Sequence, residues 1–383
     1  MRIAHVQLNL GFHLKGIDKA LAGQARAAQA EGVAFDVVVV NESRSETVNG
    51  VRYVRHRPVP ARLRRLSRLA RGHLLASTRE LDEYDVVFLR YPVSIDVDPR
   101  AYVRAIRGRL ATVHHAKEAQ ELLTGPKTFG TWARSTIERV QGPRVLADLD
   151  GIVGVTDELR DFQVARAGGR VPGFTVSNGI DVAGIVPTGP APFDGRVLRL
   201  VFVASTYAPW HGTDRLMKSL RAYRGKQAIE LDLIGAGSGK AAGEVETFGT
   251  VTVRHHGMLD GADFDRVLAS GNVAISTLAF HRTGLREGAV LKTRDYVARG
   301  MPVVLGYVDV DCPADLPWVL QLPNDDSLLS VDELVAFADR TSRLGGLAQE
   351  IRAHAERTLD WRVKVRRFER FAETLMDSPK RSA

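Results

Sequence analysis

Runs of consecutive apolar residues, rather than alternating ones, recur along the chain with helix-spaced stretches between them. Ile3–Leu8 is such a run; a polar loop follows over Gly11–Gly16, and Ile17–Glu31 carries alanines and leucine at helical spacing before stopping at Gly32. Apolar strands are then expected at Phe35–Val40, Asp85–Leu89, Leu110–Val113 and Gly151–Val155. Leu198–Ala204 starts the scheme afresh. It continues through a helix at Asp214–Tyr223 and strands at Ile229–Ile234, Val251–His255, Val273–Ser276 and Pro302–Leu305. Strands that do not alternate and are separated by helices belong to parallel sheets covered on both faces. The pattern predicts an α/β protein of two doubly wound, Rossmann-like domains facing a central cleft. They join within the proline- and glycine-rich stretch Asn178–Arg196, and ligands are expected beyond the carboxyl ends of the strands.

Composition narrows the picture. A chain of 383 residues, 44% of them hydrophobic, has material for two cores. One cysteine, Cys312, allows no intrachain disulfide and points to a reducing compartment. The start Met-Arg-Ile-Ala-His-Val reads as a strand rather than a signal peptide, and no apolar run is long enough to span a bilayer, so a cytoplasmic protein is expected. A net charge of +8 favours an anionic partner. Nucleic acid is excluded as that partner: the arginines are not interleaved with aromatics, and no helix-turn-helix or RNA-binding motif occurs.

The most informative chemistry lies in residues 287–302. Glu287 sits in a glycine-containing loop, Asp295 stands eight positions on inside an amphipathic helix, and Gly300-Met301-Pro302 closes that helix before Val303-Val304-Leu305. The amides of Val290 and Leu291 would open the helix and offer its first turn to a diphosphate, with the two carboxylates on either side. An acidic first turn is also common at helix starts that bind nothing. The histidine pairs His114-His115 and His255-His256 have no third ligand at metal spacing, and adjacent side chains point apart, so no metal is predicted. Ile234-Gly235-Ala-Gly237-Ser-Gly239 resembles a dinucleotide fingerprint but lacks its final glycine spacing.

Taken together, the chain resembles the GT-B glycosyltransferases, and within them the large retaining group, glycosyltransferase family 4, that carries a Glu-x7-Glu motif. The resemblance rests on the glycine-containing first loop, Val176-Ser-Asn-Gly-Ile-Asp181, Phe202-Val-Ala with His211-Gly212, Leu233-Ile-Gly235, His256-Gly257, the acidic motif and Asp360-Trp361. It implies an acceptor-binding domain over 1–178, a nucleotide-sugar-binding domain over 179–360, and a terminal segment, 361–383, whose helix returns to the first domain. Glu287 would hold hydroxyls of the donor sugar, and Gly288 and Ala289 would let the backbone approach it. Asp295, where the family has Glu, would take the ribose hydroxyls. The family's Arg and Lys of the diphosphate grip are replaced here by Ser205 and His211, so Lys292 is the expected compensating cation, with Arg282 and Arg286 as weaker candidates. Lys15-Gly16 matches the loop that approaches the donor phosphate, and is equally an ordinary turn. His115, with His114 and Glu118 nearby, matches the strand end that faces the sugars.

The resemblance thus implies a metal-independent hexosyltransferase with no cofactor. A UDP- or GDP-linked sugar would be co-substrate, and a small-molecule, glycan or lipid-linked hydroxyl the acceptor. The same fold also serves sugar-nucleotide epimerases, inverting transferases and noncatalytic, membrane-associated relatives, and these alternatives stay open. One further stretch bears on localisation. Over 61–74, Leu63, Leu66, Ala70 and Leu74 share a helical face while Arg62, Arg64, Arg65, Arg68 and Arg71 occupy the rest. That pattern fits peripheral docking on an anionic membrane, and equally a solvated helix or an acceptor-phosphate site.

Overall fold

The computed structural model describes residues 1–9, 15–56, 70–93, 96, 98–124, 128–237 and 239–380. Contacts gather them into two compact units, Met1–Asp181 with Trp361–Ala383, and Val182–Asp360.

The first unit is built on an eight-stranded sheet in the order Glu46–Val48, Val51–Arg55, Phe35–Asn41, Ile3–Leu8, Val86–Arg90, Arg109–His114, Gly151–Gly154, Gly173–Thr175. Every neighbouring pair is parallel except the first, an antiparallel hairpin that turns at Asn49-Gly50, both with positive φ. Val37–Val40 and Val86–Leu89 are buried on both faces, which is why these strands read as unbroken apolar runs. The strand order reverses between Ile3–Leu8 and Val86–Arg90. In such sheets this reversal opens a crevice at the carboxyl ends of the two strands.

The second unit repeats the plan with seven strands in the order Val245–Phe248, Val251–Gly257, Ala228–Ala236, Val197–Thr206, Val273–Ile275, Val303–Leu305, Val319–Gln321. It too ends in one antiparallel edge hairpin, and its order reverses between Val197–Thr206 and Val273–Ile275. A short parallel pair, Glu287–Gly288 with Val308–Asp309, stands apart from the main sheet.

The chain returns to the first unit through its last helix, Trp361–Asp377. Trp361, Val365, Phe368, Phe371 and Leu375 form its buried stripe. The Phe368 ring lies 4.9 Å from that of Phe88, and Phe371 lies 5.0 Å from Phe174. Lys364, also buried, donates to the Ser177 hydroxyl at 2.6 Å. The α/β architecture of two doubly wound units expected from the apolar pattern is the one observed.

Candidate functional site

The helix Leu291–Ala298 is held more firmly than its sequence implies. It was expected to be amphipathic, yet Thr293, Arg294, Tyr296, Val297 and Ala298 are all buried. The reason is a set of partners that satisfies its polar side chains inside the unit. The Arg294 guanidinium meets Asp309 and, at 2.7 Å, Asp311. Thr293 Oγ1 lies 2.7 Å from both the Ser276 and the Tyr307 hydroxyls. The Tyr296 hydroxyl accepts from the Val203 amide at 2.9 Å, tying the helix to the central strand. A helix locked on three sides cannot shift its first turn without breaking buried bonds.

That first turn begins at Val290, which has extended backbone angles and no side chain capping the amides that follow. Lys292 projects from it onto His211, the other residue expected at the diphosphate, with Nζ to Nδ1 at 3.0 Å. The ammonium also lies over the Phe202 ring, 4.4 Å from its centre. Burial lowers Lys292 to about 7. Burial, and then the Lys292 charge, lower His211 to about 2, so the imidazole is neutral. With Lys292 donating to Nδ1, the ring proton sits on Nε2, a second donor at the same place. His211 is positioned by Gly212, whose φ of +72° starts the next helix and whose absent side chain lets Leu278 and Ala279 approach. Ser205 is exposed near the end of the central strand.

The carboxylates are placed differently from each other. Asp295 accepts from Arg299 Nε at 2.5 Å, and Arg299 also pairs with Asp265 at 2.8 Å. Glu287 is half-buried in the short pair with Val308. Gly288 and Ala289 follow Glu287 directly. Both are buried, and a Cβ on Gly288 would come within 2.8 Å of the Tyr307 ring and 3.1 Å of Phe280. The glycine makes room for these two aromatic side chains. Arg282 is also committed elsewhere: it pairs with Asp214 at 2.9 Å and Asp326 at 2.6 Å, and those contacts hold its guanidinium above the ordinary value. The Arg286 side chain is exposed. His255 and His256 bond separately to Glu246 and Asp232.

In the first unit, His114 and His115 part ways as adjacent residues at a strand end should. His114 is fully buried, bonded to Thr112 at 2.8 Å and Glu118 at 2.6 Å, and stacked on Tyr91. Glu118 therefore belongs to His114 rather than His115, because the helix that carries it starts only at Glu118. His115 points the other way, and its Nε2 is buried without a partner. Burial, then Arg90, hold it well below the usual imidazole range. Gly16 is corrected from loop to helix, since the first helix runs Lys15–Ala30 and takes Gly16 into its exposed first turn. Of the basic stretch 61–74, residues 61–69 lie outside the described residues, and Arg71–Ala76 forms a short helix with Leu74 and Leu75 buried.

Among the described residues of the first unit, cavities open at both ends of the strands. One, about 830 Å³, opens at the amino ends of the strands beside the Arg109–Asp150 ion pair, away from the ends where such sheets bind ligands. The other, about 280 Å³, lies at the carboxyl ends and includes Arg90, Tyr91 and His115. Sequence reasoning missed Arg90; its place as the last residue of an apolar strand was the available signal. It also missed Tyr307 and Asp309, which lock the second unit's helix.

No family model matches this chain, and no curated protein matches it. Solved structures do. Sucrose-phosphate synthase from Thermosynechococcus elongatus is similar at 12% identity and a TM-score of 0.62, covering 99% of this chain and 100% of its own. A glycosyltransferase from Rickettsia africae gives 10% identity and a TM-score of 0.59, with 99% and 100% covered. HepE from Anabaena, solved with UDP and glucose, gives 15% and 0.58, with 98% and 100% covered. At such identities the likeness is one of fold, and the fold is GT-B.

Proposed function

We propose that this chain is a metal-independent glycosyltransferase of the retaining kind, with its nucleotide-sugar held by the second unit. The observation that carries this is the pairing of Lys292 with His211 at an uncapped helix start, at the carboxyl end of the strand where the sheet order reverses. Loss of a nucleoside diphosphate leaves growing negative charge on the departing oxygens. Catalysis then needs preformed donors at that point more than it needs a strong nucleophile. The first-turn amides, the Lys292 ammonium and the His211 Nε2 proton are such donors, and the locked helix keeps them in place before substrate arrives. Glu287 orients the sugar, and Asp295, already oriented by Arg299, receives the ribose. The acceptor belongs to the first unit, beside His115. On a front-face route the leaving phosphate oxygen takes the acceptor's proton, so the chain need not supply a base. The HepE structure with UDP makes a uridine donor the first to try.

Thermal melting against UDP, GDP, ADP and their glucose or mannose conjugates tests the reading, since a ligand at 100 times its Kd adds roughly 2.7 kcal/mol to stability. At least one diphosphate should raise the melting temperature, and NMR of the product from the matching donor should show the donor's anomeric configuration kept. A panel without any shift removes the donor site. An inverted product removes the retaining assignment and leaves the site standing.

A further inference from the structure

The cavity of about 280 Å³ in the first unit is lined by three arginines from separate stretches of chain, among other residues. Arg71 starts the short helix Arg71–Ala76, Arg90 ends the strand Val86–Arg90, and Arg134 belongs to the helix Phe129–Ala147. Burial lowers Arg71, and repulsion from Arg134 adds to it; burial also lowers Arg90. Elsewhere the chain gives an arginine withdrawn from water a carboxylate to bond. Arg294 has Asp309 and Asp311, and Arg166 has Glu138 at 2.8 Å. Among the described residues no carboxylate comes within ion-pair distance of Arg90 or Arg134; Glu121 acts on Arg90 only as a nearby charge.

The acidic groups in the lining do not cancel this excess. Glu118 is held by His114 at 2.6 Å and Gln163 at 2.6 Å, with Arg166 at 3.7 Å. Glu121 is pushed above the usual carboxylate range by burial and then by Glu118. Even when ionised, Glu121 offsets only one of the two cations Arg90 and Arg134. His115 adds a buried Nε2 with no partner. Arg90 and Arg134 without a carboxylate, and an orphaned ring nitrogen beside them, cost folding energy that no ion pair among the described residues returns. At about 280 Å³ the cavity has room for one small charged group and part of what carries it.

We propose that this cavity binds a phosphate monoester, whose dianion bridges Arg90 and Arg134 and takes a further hydrogen bond from His115. The site stands on the first unit alone; if the chain transfers sugar as proposed above, the phosphate marks its acceptor.

Calorimetry of the full chain with glycerol 3-phosphate tests this. The unaltered chain should bind it, and Arg90→Gln and Arg134→Gln should each weaken binding about tenfold or more, as expected for a charge-assisted bidentate contact. Arg343→Gln, on an exposed arginine paired with Asp339, should leave it unchanged. Melting without ligand shows that the variants fold: Arg134→Gln removes a charge that Arg71 repels and should melt at or above the unaltered chain. Absence of binding in the unaltered chain overturns the proposal, as do equal affinities in all variants. Loss on Lys292→Ala in place of Arg90→Gln also overturns it, by assigning the phosphate to the second unit. Acetate binding as tightly as glycerol 3-phosphate removes the monoester class. Phosphatidylcholine vesicles with and without phosphatidic acid separate a lipid headgroup from a soluble ester. Arg90-dependent sedimentation with the acidic vesicles supports the site with the first source, and binding of the free ester alone supports it with the second.

Discussion

The carboxyl ends of the two sheets treat buried charge in opposite ways. In the second unit nearly every charge near the helix start already has its counterpart: Arg294 with Asp309 and Asp311, Arg299 with Asp295 and Asp265, Arg282 with Asp214 and Asp326. Lys292 instead rests on a neutral imidazole and an aromatic face. In the first unit Arg90, Arg134 and His115 gather without such counterparts among the described residues. Saturated pairs fix geometry, whereas unsaturated ones are costs that persist where a ligand settles them. On the proposals above, the second unit is a rigid cradle around the Lys292 cation and the first a pocket for an anion.

The sharpest way to break that contrast is to unlock the cradle. Asp309→Ala leaves the fully buried Arg294 without its nearest carboxylate, and stability in urea should fall by about 3–5 kcal/mol. A loss under about 1 kcal/mol would mean that Arg294 reaches water and the helix is not fixed by it. Removing the active cation should instead spare the fold. Lys292→Ala should lower turnover by roughly 10²–10³, the scale for one lost donor at a developing oxyanion. Its melting temperature should stay or rise, because a desolvated ammonium is gone. Near-normal turnover would take Lys292 out of the mechanism.

The same lysine makes the comparison sensitive to pH. Folding brings Lys292 from an ordinary value of 10.5 down to about 7. Between those values the unfolded chain binds the extra proton, so burial of this group costs stability below pH 7 and the cost is relieved as pH rises toward 10.5. Diphosphate binding runs the other way, since a bound anion favours the ammonium. Affinity for UDP should therefore fall above pH 7, by up to about tenfold per unit, once the terminal phosphate is already fully ionised. Lys292→Arg keeps its charge throughout and should flatten the profile. A profile that is flat in the unaltered chain would place the phosphate elsewhere.

How much of this is legible in the sequence depends on where the information resides. The two sheets are legible because strands buried on both faces leave continuous apolar runs, as at Val37–Val40. The edge hairpin Glu46–Val48 with Val51–Arg55 escapes the same reading because its first strand is short and exposed, even though Asn49-Gly50 is a strong turn signal. Lys292 and His211 are individually legible as candidates. Their 3.0 Å contact is not, since it joins positions 81 residues apart. Arg294 reads as a solvated helix residue until the short strand Val308–Asp309, 15 residues on, brings Asp309 to it. The arginine pocket fails for a similar reason: Arg71, Arg90 and Arg134 share no motif, and only the strand order gathers them.

The smallest predicted effect separates two meanings of one glycine. If Gly288 served a ligand, adding a methyl group would leave the empty protein undisturbed and weaken donor binding. Its surroundings argue otherwise, because that methyl would meet the Tyr307 ring at 2.8 Å and Phe280 at 3.1 Å. Tyr307 cannot easily retreat, since its hydroxyl is bonded to Thr293 at 2.7 Å and Asp309 at 3.1 Å within the same network that buries Arg294. Gly288→Ala should then cost about 1–3 kcal/mol, the usual penalty for overpacking, in the absence of any nucleotide. The loss should be less than additive with that of Asp309→Ala, because both changes disturb the same tyrosine. Full additivity, or a loss seen only as weaker UDP binding, would detach the glycine from the cradle and return it to the ligand.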